Sequence, residues 1–331
     1  MFQTIVNVSK LIIGLLHKHS RFLLNLFLIS LVLCFCLHPL RFASHYNYIC
    51  PEKIPFELEP AYFPKKNACM IVVATQAHLQ LFYPDKKPLE ESQFLAYRLS
   101  ILPGGQWRPQ RCQPLFNVAI ILPYRNRQIQ LLIFLNYIHP FLQLQNLDYR
   151  IFVVEQTSDK EFNRAKLFNV GFVEASKTSN FHCFIFQDID LIPQNLRNIY
   201  ACTKLPRHMS SSVNTFRYNL PYTGLFGGAI AITKHLFLQV NGFSNVYFGW
   251  GAEDDDFYNR LQSKGLPVTR FSPEISRYFM LSHRKESPSI TRFTHLEEAS
   301  KRFNTDGISN LQYRIISHQL QPLYSWILVK I

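Results

Sequence analysis

Apolar and polar positions between residues 116 and 190 follow two alternating periods. Residues 118–122 (VAIIL) form an unbroken apolar run ended by Pro123, which predicts a strand buried on both faces. Residues 128–141 carry helical spacing. Residues 149–154 (YRIFVV) predict a second strand, and residues 162–175 a second helix with apolar positions at 165, 167, 168 and 172. A third strand over 181–186 runs into Gln187-Asp188-Ile189-Asp190. Strands and helices alternating through short connections predict an α/β domain on a mainly parallel sheet with flanking helices. Its ligand crevice is expected at the carboxyl ends of the strands.

Upstream the pattern changes. Residues 22–37 (FLLNLFLISLVLCFCL) hold no charged side chain. As a helix continued to residue 40 the stretch reaches about 24 to 28 Å, enough for a thin secretory membrane. Lys10, Lys18 and Arg21 precede it, so the positive-inside rule places residues 1–21 in the cytoplasm, the anchor at 22–40 and residues 41–331 in the lumen. A cleaved signal peptide is the alternative. His38-Pro39 stands where a small-x-small cleavage site would be needed, which favours the anchor. Residues 41–103 are rich in Pro, Lys and aromatics with weak periodicity and read as a stem turning into an N-terminal flap. A globular domain over 104–331 follows.

Composition narrows the class. With 331 residues, 47% hydrophobic and 15% aromatic, the chain can bury a substantial core. The net charge of +13 raises the question of a polyanionic partner. The basic residues are scattered in runs no longer than two, with no zinc-finger spacing and no RNP-like aromatic signature. No nucleic-acid partner is expected; a basic lumenal surface facing anionic lipid or acidic glycans accounts for the charge. Of seven cysteines, Cys34 and Cys36 fall in the anchor, and Cys50, Cys69, Cys112, Cys183 and Cys202 in the lumen. An oxidising compartment permits disulfides and leaves one of the five unpaired. The sequon Asn7-Val8-Ser9 lies on the cytoplasmic side, so no N-glycan is expected.

Three clusters suggest chemistry. Asp188-Ile189-Asp190, at the end of the third strand, offers hard oxygens suited to Mn²⁺ or Mg²⁺ bridging a diphosphate. Residues 248–256 (FGWGAEDDD) set four consecutive carboxylates beside a Gly-Trp-Gly turn. A helix N-terminus would attract such acids through its dipole, but it does not account for the glycines and the tryptophan. Crowding of like charge should raise at least one of these pKa values. Met280-Leu281-Ser282-His283 is a weak metal motif taken alone.

Read together and in order, 116–127 (FNVAIILPYRNR), 162–167 (FNRAKL), 188–190 (DID), 226–228 (FGG), 241–243 (NGF), 249–256 (GWGAEDDD) and 280–283 (MLSH) resemble the successive blocks of the β1,4-galactosyltransferase family over roughly residues 104–329. The resemblance implies a GT-A-like, Rossmann-like fold and a Golgi type II membrane protein. It also implies a UDP-sugar donor, Mn²⁺, and a GlcNAc- or Glc-terminated acceptor. It makes Asp190, Met280 and His283 metal ligands and Asp188 a donor contact. Pro123, Arg125, Arg127, Phe162 and Arg164 would cradle uridine and its phosphates, a task suited to an Arg fork and an aromatic ring. Gly228 would join the donor site, and Trp250 would sit on a mobile loop at the donor phosphates and acceptor sugar. Asp254 would be the catalytic base, ionised below the mildly acidic lumenal pH, with Glu253 and Asp255 as neighbouring sugar contacts. Tyr222, Tyr247 and Phe293 fall at acceptor positions. Cys183 and Cys202 match a family disulfide, and Cys112 one end of a second, with Cys50 or Cys69 as its partner.

The sequence departs from the family pattern in places. Leu225 stands where galactose-transferring members carry Tyr and invertebrate N-acetylgalactosamine-transferring members carry a smaller aliphatic residue, which points to UDP-GalNAc, with UDP-Gal as the alternative donor. Ala252 replaces a common Gly, and Lys285 an Arg. A catalytically silent sugar-binding protein on the same fold is the competing reading.

Overall fold

The computed structural model describes residues 2–37, 47–61, 67–70, 100–283 and 286–331. Most of the segment read as stem, and Lys285, lie outside them. The chain divides into two compact units, Met1–Tyr46 and Asn47–Ile331. In the first, helix α1 (Phe2–Leu37) contains a window, His19–Cys36, of mean hydropathy 1.8 and wholly unburied, long and apolar enough to cross a membrane.

In the second unit the strands are β1 (Gln106–Trp107), β2 (Asn117–Tyr124), β3 (Asp148–Gln156), β4 (Cys183–Gln187), β5 (Leu191–Pro193), β6 (Arg207–His208), β7 (Ser212–Val213), β8 (Ala229–Thr233), β9 (Arg277–Met280), β10 (Arg314–Leu320) and β11 (Ser325–Lys330). The main helices are α2 (Gln128–Leu144), α3 (Arg164–Thr178), α4 (Lys234–Gln239), α5 (Glu253–Ser263), α6 (Arg292–Glu297) and α7 (Ala299–Arg302). A large sheet runs β10-β11-β3-β2-β4-β8-β6, and β1 pairs with β3 beside β11. The pairs β11·β3, β3·β2 and β2·β4 are parallel, while the outer pairs are antiparallel. A small sheet, β5-β9-β7, stands apart. The parallel centre predicted from sequence is present, bordered on both sides by antiparallel strands.

Strand periodicity explains the two-sided core. Val118, Ile120 and Leu122 of β2 join Tyr149, Ile151 and Val153 of β3 in one cluster with α2 residues Phe134, Leu135, Ile138 and Phe141. Ala119 and Ile121, with Phe152 and Val154, join the opposite cluster with α3 residues Ala165, Phe168 and Phe172. Residues 117–123 of β2 and 151–154 of β3 are therefore buried without a break, as their apolar runs require. Pro123 does not end β2. The strand continues to Tyr124, with Pro123 paired to Val154. Gly171 lets α3 settle on the sheet, because a Cβ there would collide with Ile121 Cγ2.

Disulfides join Cys69 to Cys112 and Cys183 to Cys202, and Cys50 is free and exposed, which settles the partner of Cys112. Residues on either side of Cys50 pack onto the main body. Ile49 N–H donates to Arg270 O at 2.8 Å and Glu59 N–H to Cys202 O at 2.9 Å.

A buried polar bridge ties α2 to the C-terminal hairpin. His139 Nε2 lies 2.9 Å from Leu323 O, and Nδ1 2.8 Å from the Tyr149 hydroxyl. A carbonyl only accepts, so Nε2 carries the proton and Nδ1 accepts from Tyr149. Burial holds the ring down at about 4, below its ordinary 6.5, although the bond to Leu323 opposes that shift. The sign follows from proton linkage: above pH 6.5 the ring is neutral folded or unfolded, and as pH falls towards 4 only the unfolded chain takes the proton. Stability is therefore lost across that window, and a His139→Gln variant should show a flatter dependence of unfolding midpoint on pH there. Parallel pH curves for variant and wild type would contradict this.

Candidate active site

At the carboxyl ends of β2 and β4 lies a cavity of about 740 Å³, the size range of small-molecule and cofactor sites. Pro123, near the end of β2, and Arg125 and Arg127, just beyond the strand, line one side. The Arg125 guanidinium stands 5.1 Å above the Phe162 ring and donates to Lys160 O at 2.7 Å. Phe162 also lines the cavity, and its carbonyl accepts from Gly249 N–H at 2.9 Å, joining that wall to the Gly-Trp-Gly turn.

The floor is built from opposed charges. Arg164, at the first turn of α3, grips Asp188 with a fork, Nε to Oδ1 at 2.6 Å and NH2 to Oδ2 at 3.0 Å, and reaches Glu253 Oε1 with NH1 at 3.4 Å. Burial raises the Asp188 carboxyl, the Arg164 guanidinium pulls it down, and Asp190 pushes it up again. Asp190 Oδ2 is 2.8 Å from His283 Nδ1 and 3.4 Å from Arg127 NH1. The hydrogen bond that Asp190 accepts from His283 raises that ring above its ordinary value.

The carboxylate run starts helix α5. Its N-cap, Ala252, has φ 71°, a left-handed conformation that suits glycine better than alanine. The four acids take different positions. Asp256 turns inward and is fully buried, while Glu253, Asp254 and Asp255 line the cavity. Gly227 lets the Asp254 carboxylate lie against the chain, since a Cβ there would collide with Oδ2. Burial, with Glu253 and Asp255 alongside, pushes Asp254 up to about 7 against the pull of Arg164. Desolvation leads that upward shift, and the ionised Asp254 expected from the sequence calls for a nearby divalent cation to offset it. Asp255 Oδ1 accepts from the Tyr222 hydroxyl at 2.8 Å.

Leu225, Gly228, Met280 and Phe293 line the same cavity, as does Trp250, 57% exposed, whose carbonyl accepts from Ser289 N–H at 3.0 Å. Tyr247 does not. It is 3% exposed, and its hydroxyl donates to Asp256 Oδ2 at 3.0 Å, so the placement at an acceptor position is corrected: packing draws the phenol inward to serve a buried carboxylate. Cys183 and Cys202 form their disulfide outside the lining.

The sequence reading missed several residues. Glu161, Phe216, Glu286 and Arg292 also face the cavity. Behind it, Arg260 bonds Asp256 Oδ1 through Nε at 2.6 Å and Asp306 O through NH1 at 2.6 Å, with Asp306 Oδ2 3.4 Å from NH2. All three side chains are almost fully buried. The i,i+4 spacing of Asp256 and Arg260 is visible in sequence, whereas Asp306 gives no local signal.

The donors fit a divalent cation. Among the described residues no group of three or more His, Cys, Asp or Glu is arranged to hold a metal, so such a site must draw on another donor type. Asp190 and His283 already converge at hydrogen-bonding distance. Met280 on β9 pairs with Leu191 beside Asp190, and Leu281 N–H donates to Asp190 O at 2.7 Å. A carboxylate, an imidazole and a thioether leave coordination positions open for diphosphate oxygens.

The sheet, parallel at its centre and opening into an acidic and basic cavity, has the layout of a GT-A-like fold, the class of its solved neighbours. A family model described as the N-terminal region of glycosyl transferase group 7 matches residues 70–203, and one described as the N-terminal domain of galactosyltransferase matches residues 207–284. Beta-1,4-galactosyltransferase 4 of Homo sapiens is 43% identical over 247 residues, 74% of this chain and 71% of that protein. Beta-1,4-galactosyltransferase 1 of Mus musculus is 45% identical over 231 residues, 69% of this chain and 58% of the relative's length. A mutant of Drosophila β1,4-galactosyltransferase 7, solved with manganese, UDP-Gal and xylobiose, superposes with a TM-score of 0.57 at 28% identity, covering 65% of this chain and 94% of that one. The chain belongs to the β1,4-galactosyltransferase family.

The Asp256–Arg260–Asp306 cluster is expected to carry the helix that presents Asp254. Arg260→Met would leave Asp256 and Asp306 only the longer ion pairs to Arg302, at 4.0 and 3.8 Å, a loss of about 3–5 kcal/mol in denaturant unfolding. A change under about 0.5 kcal/mol, as at an ordinary surface site, would contradict this.

Proposed function

We propose that this chain is a manganese-dependent, inverting hexosyltransferase that moves GalNAc from UDP-GalNAc, or galactose from UDP-Gal, to the 4-hydroxyl of a terminal GlcNAc or Glc on a glycoprotein or glycolipid. The observation that carries the reading is the meeting of Asp254, the Arg164–Asp188 fork and the Asp190–His283 pair in one cavity. The names of the relatives, and the manganese and UDP-Gal of the Drosophila structure, support it.

In this reading Asp254 accepts the proton of the acceptor hydroxyl as that oxygen bonds to the donor's anomeric carbon. The bond from that carbon to the phosphate oxygen breaks, its electron pair leaves with UDP, and the α-linked donor gives a β-linked product. Arg164 holds Asp188 at the donor sugar, while Arg125, Arg127 and Phe162 hold uridine and its phosphates. Asp190, Met280 and His283 would hold Mn²⁺, which supplies charge to stabilise the leaving diphosphate. Trp250, Tyr222 and Phe293 offer aromatic faces to the acceptor, with Glu253 and Asp255 bonding sugar hydroxyls.

Leu225 favours UDP-GalNAc. Its aliphatic side chain on the cavity wall leaves no phenol ring to crowd a 2-acetamido group. Buried Arg270 fixes the segment, donating from NH2 to Thr223 O at 2.7 Å and Leu225 O at 3.0 Å. The UDP-Gal reading is favoured by the names of the relatives. For location we propose a single-pass type II protein of the Golgi membrane, with a cytoplasmic tail over 1–21, an anchor over 22–40 and a lumenal catalytic domain. The unburied apolar window, with Lys10 and Lys18 before it and Arg21 in its first turn, supports this orientation.

Transfer to a GlcNAc-terminated acceptor with Mn²⁺ should run faster from UDP-GalNAc than from UDP-Gal, and Leu225→Tyr should reverse the order. An unchanged donor ratio in the variant would sink the argument from Leu225. Asp254→Asn should lose roughly 10²- to 10⁴-fold in turnover, the usual worth of a positioned base. A base works ionised, so with its carboxyl at about 7 in the free protein, kcat/KM should fall as pH drops through neutrality. A flat profile from pH 8 to pH 6 would contradict that role.

A further inference from the structure

The segment between β7 and the cavity has no part in the reading above, yet it grips the strand that carries Met280. Residues Asn214–Phe216 form one 3₁₀ turn directly after β7, which pairs with β9 in parallel. Asn214 Oδ1 accepts from Met280 N–H at 2.7 Å, where β9 has passed the end of its pairing with β7. The Thr215 hydroxyl lies 3.8 Å from Met280 Sδ, within reach of a hydrogen bond to sulfur. Arg217 and Tyr218, which follow, hold left-handed conformations with φ 53° and 60°, costly for residues other than glycine. They are kept there by anchors at both ends: Arg217 N–H donates to Asn214 O at 2.9 Å, and the Arg277 guanidinium of β9 sits 3.4 Å from the Tyr218 ring centroid.

We propose that Asn214 and Thr215 are positioning residues for Met280, fixing the thioether so that one sulfur lone pair takes the Thr215 proton and the other faces the cavity. The proposal rests on the metal assignment made above. A thioether is a poor ligand for a hard cation such as Mn²⁺, and methionine turns about three side-chain bonds, so its share in binding depends on being held beforehand. Asn214 fixes the backbone of that residue and Thr215 its sulfur. Partners of this kind, one step removed from a metal, tune its affinity without touching it.

The test is the affinity of the full-length protein, in detergent and with UDP present, for Mn²⁺ alone, read from the electron paramagnetic resonance signal of the free ion. Thr215→Val keeps the shape and removes the hydroxyl, and should weaken Mn²⁺ binding roughly three- to tenfold, the worth of one modest hydrogen bond. Thr215→Ser restores the hydroxyl and should stay within about twofold of wild type, a difference small against that worth. The metal-free unfolding midpoint should be the same in all three proteins, because the side chain is exposed. Equal affinity in wild type and Thr215→Val, or equal weakening in Val and Ser variants, would overturn the proposal and leave the metal assignment standing. Wild type that binds no Mn²⁺ would overturn both.

Discussion

Repulsion among carboxylates governs this site. Asp188, Asp190, Glu253, Asp254 and Asp255 all face one cavity, where their like charges crowd together. Arg164 is the main internal answer. Its fork neutralises Asp188 and its third nitrogen reaches Glu253, so one guanidinium serves both the β4 loop and the first turn of α5. Asp254 lies beyond its hydrogen bonds and, under burial and its neighbours' charge, is left protonated up to about neutrality. The cavity is therefore short of positive charge, the condition that favours a divalent cation.

The fold serves that electrostatic arrangement. Parallel strands β2 and β4 end side by side, so Arg125 and Arg127 leave one strand where Asp188 and Asp190 leave the other. Helix α3 can place Arg164 between them because Gly171 lets it lie close on the sheet. The small β5-β9-β7 sheet brings Met280 and His283 from a distant part of the chain to Asp190. Behind α5, the buried Arg260 with Asp256 and Asp306 fixes the helix from which Asp254 projects.

The sheet centre was legible because each of its strands is an apolar run buried on both faces. Strands β8, β6, β10 and β11 were not read from sequence, because their pairing partners are remote and edge strands such as β10 lack a continuous apolar signal. Pro123 misled as a terminator, since its missing N–H does not prevent pairing with Val154. Resemblance, rather than periodicity, marked the cavity residues, Asp190, Met280 and His283 among them. It failed at Tyr247, whose orientation depends on the buried Asp256. The protonation of Asp254 depends on desolvation, which has no signature along the chain. Cys69 and Cys50 could be separated as partners of Cys112 only by their positions in space.

The central claim, a single displacement in which Asp254 deprotonates the acceptor, fixes the stereochemistry of the product. The most direct measurement is proton NMR of the disaccharide formed from an α-linked UDP-sugar, a GlcNAc acceptor and Mn²⁺ by the full-length protein. The transferred sugar is expected in a β1,4 linkage. An α-linked product would contradict it, as would a donor that is only hydrolysed.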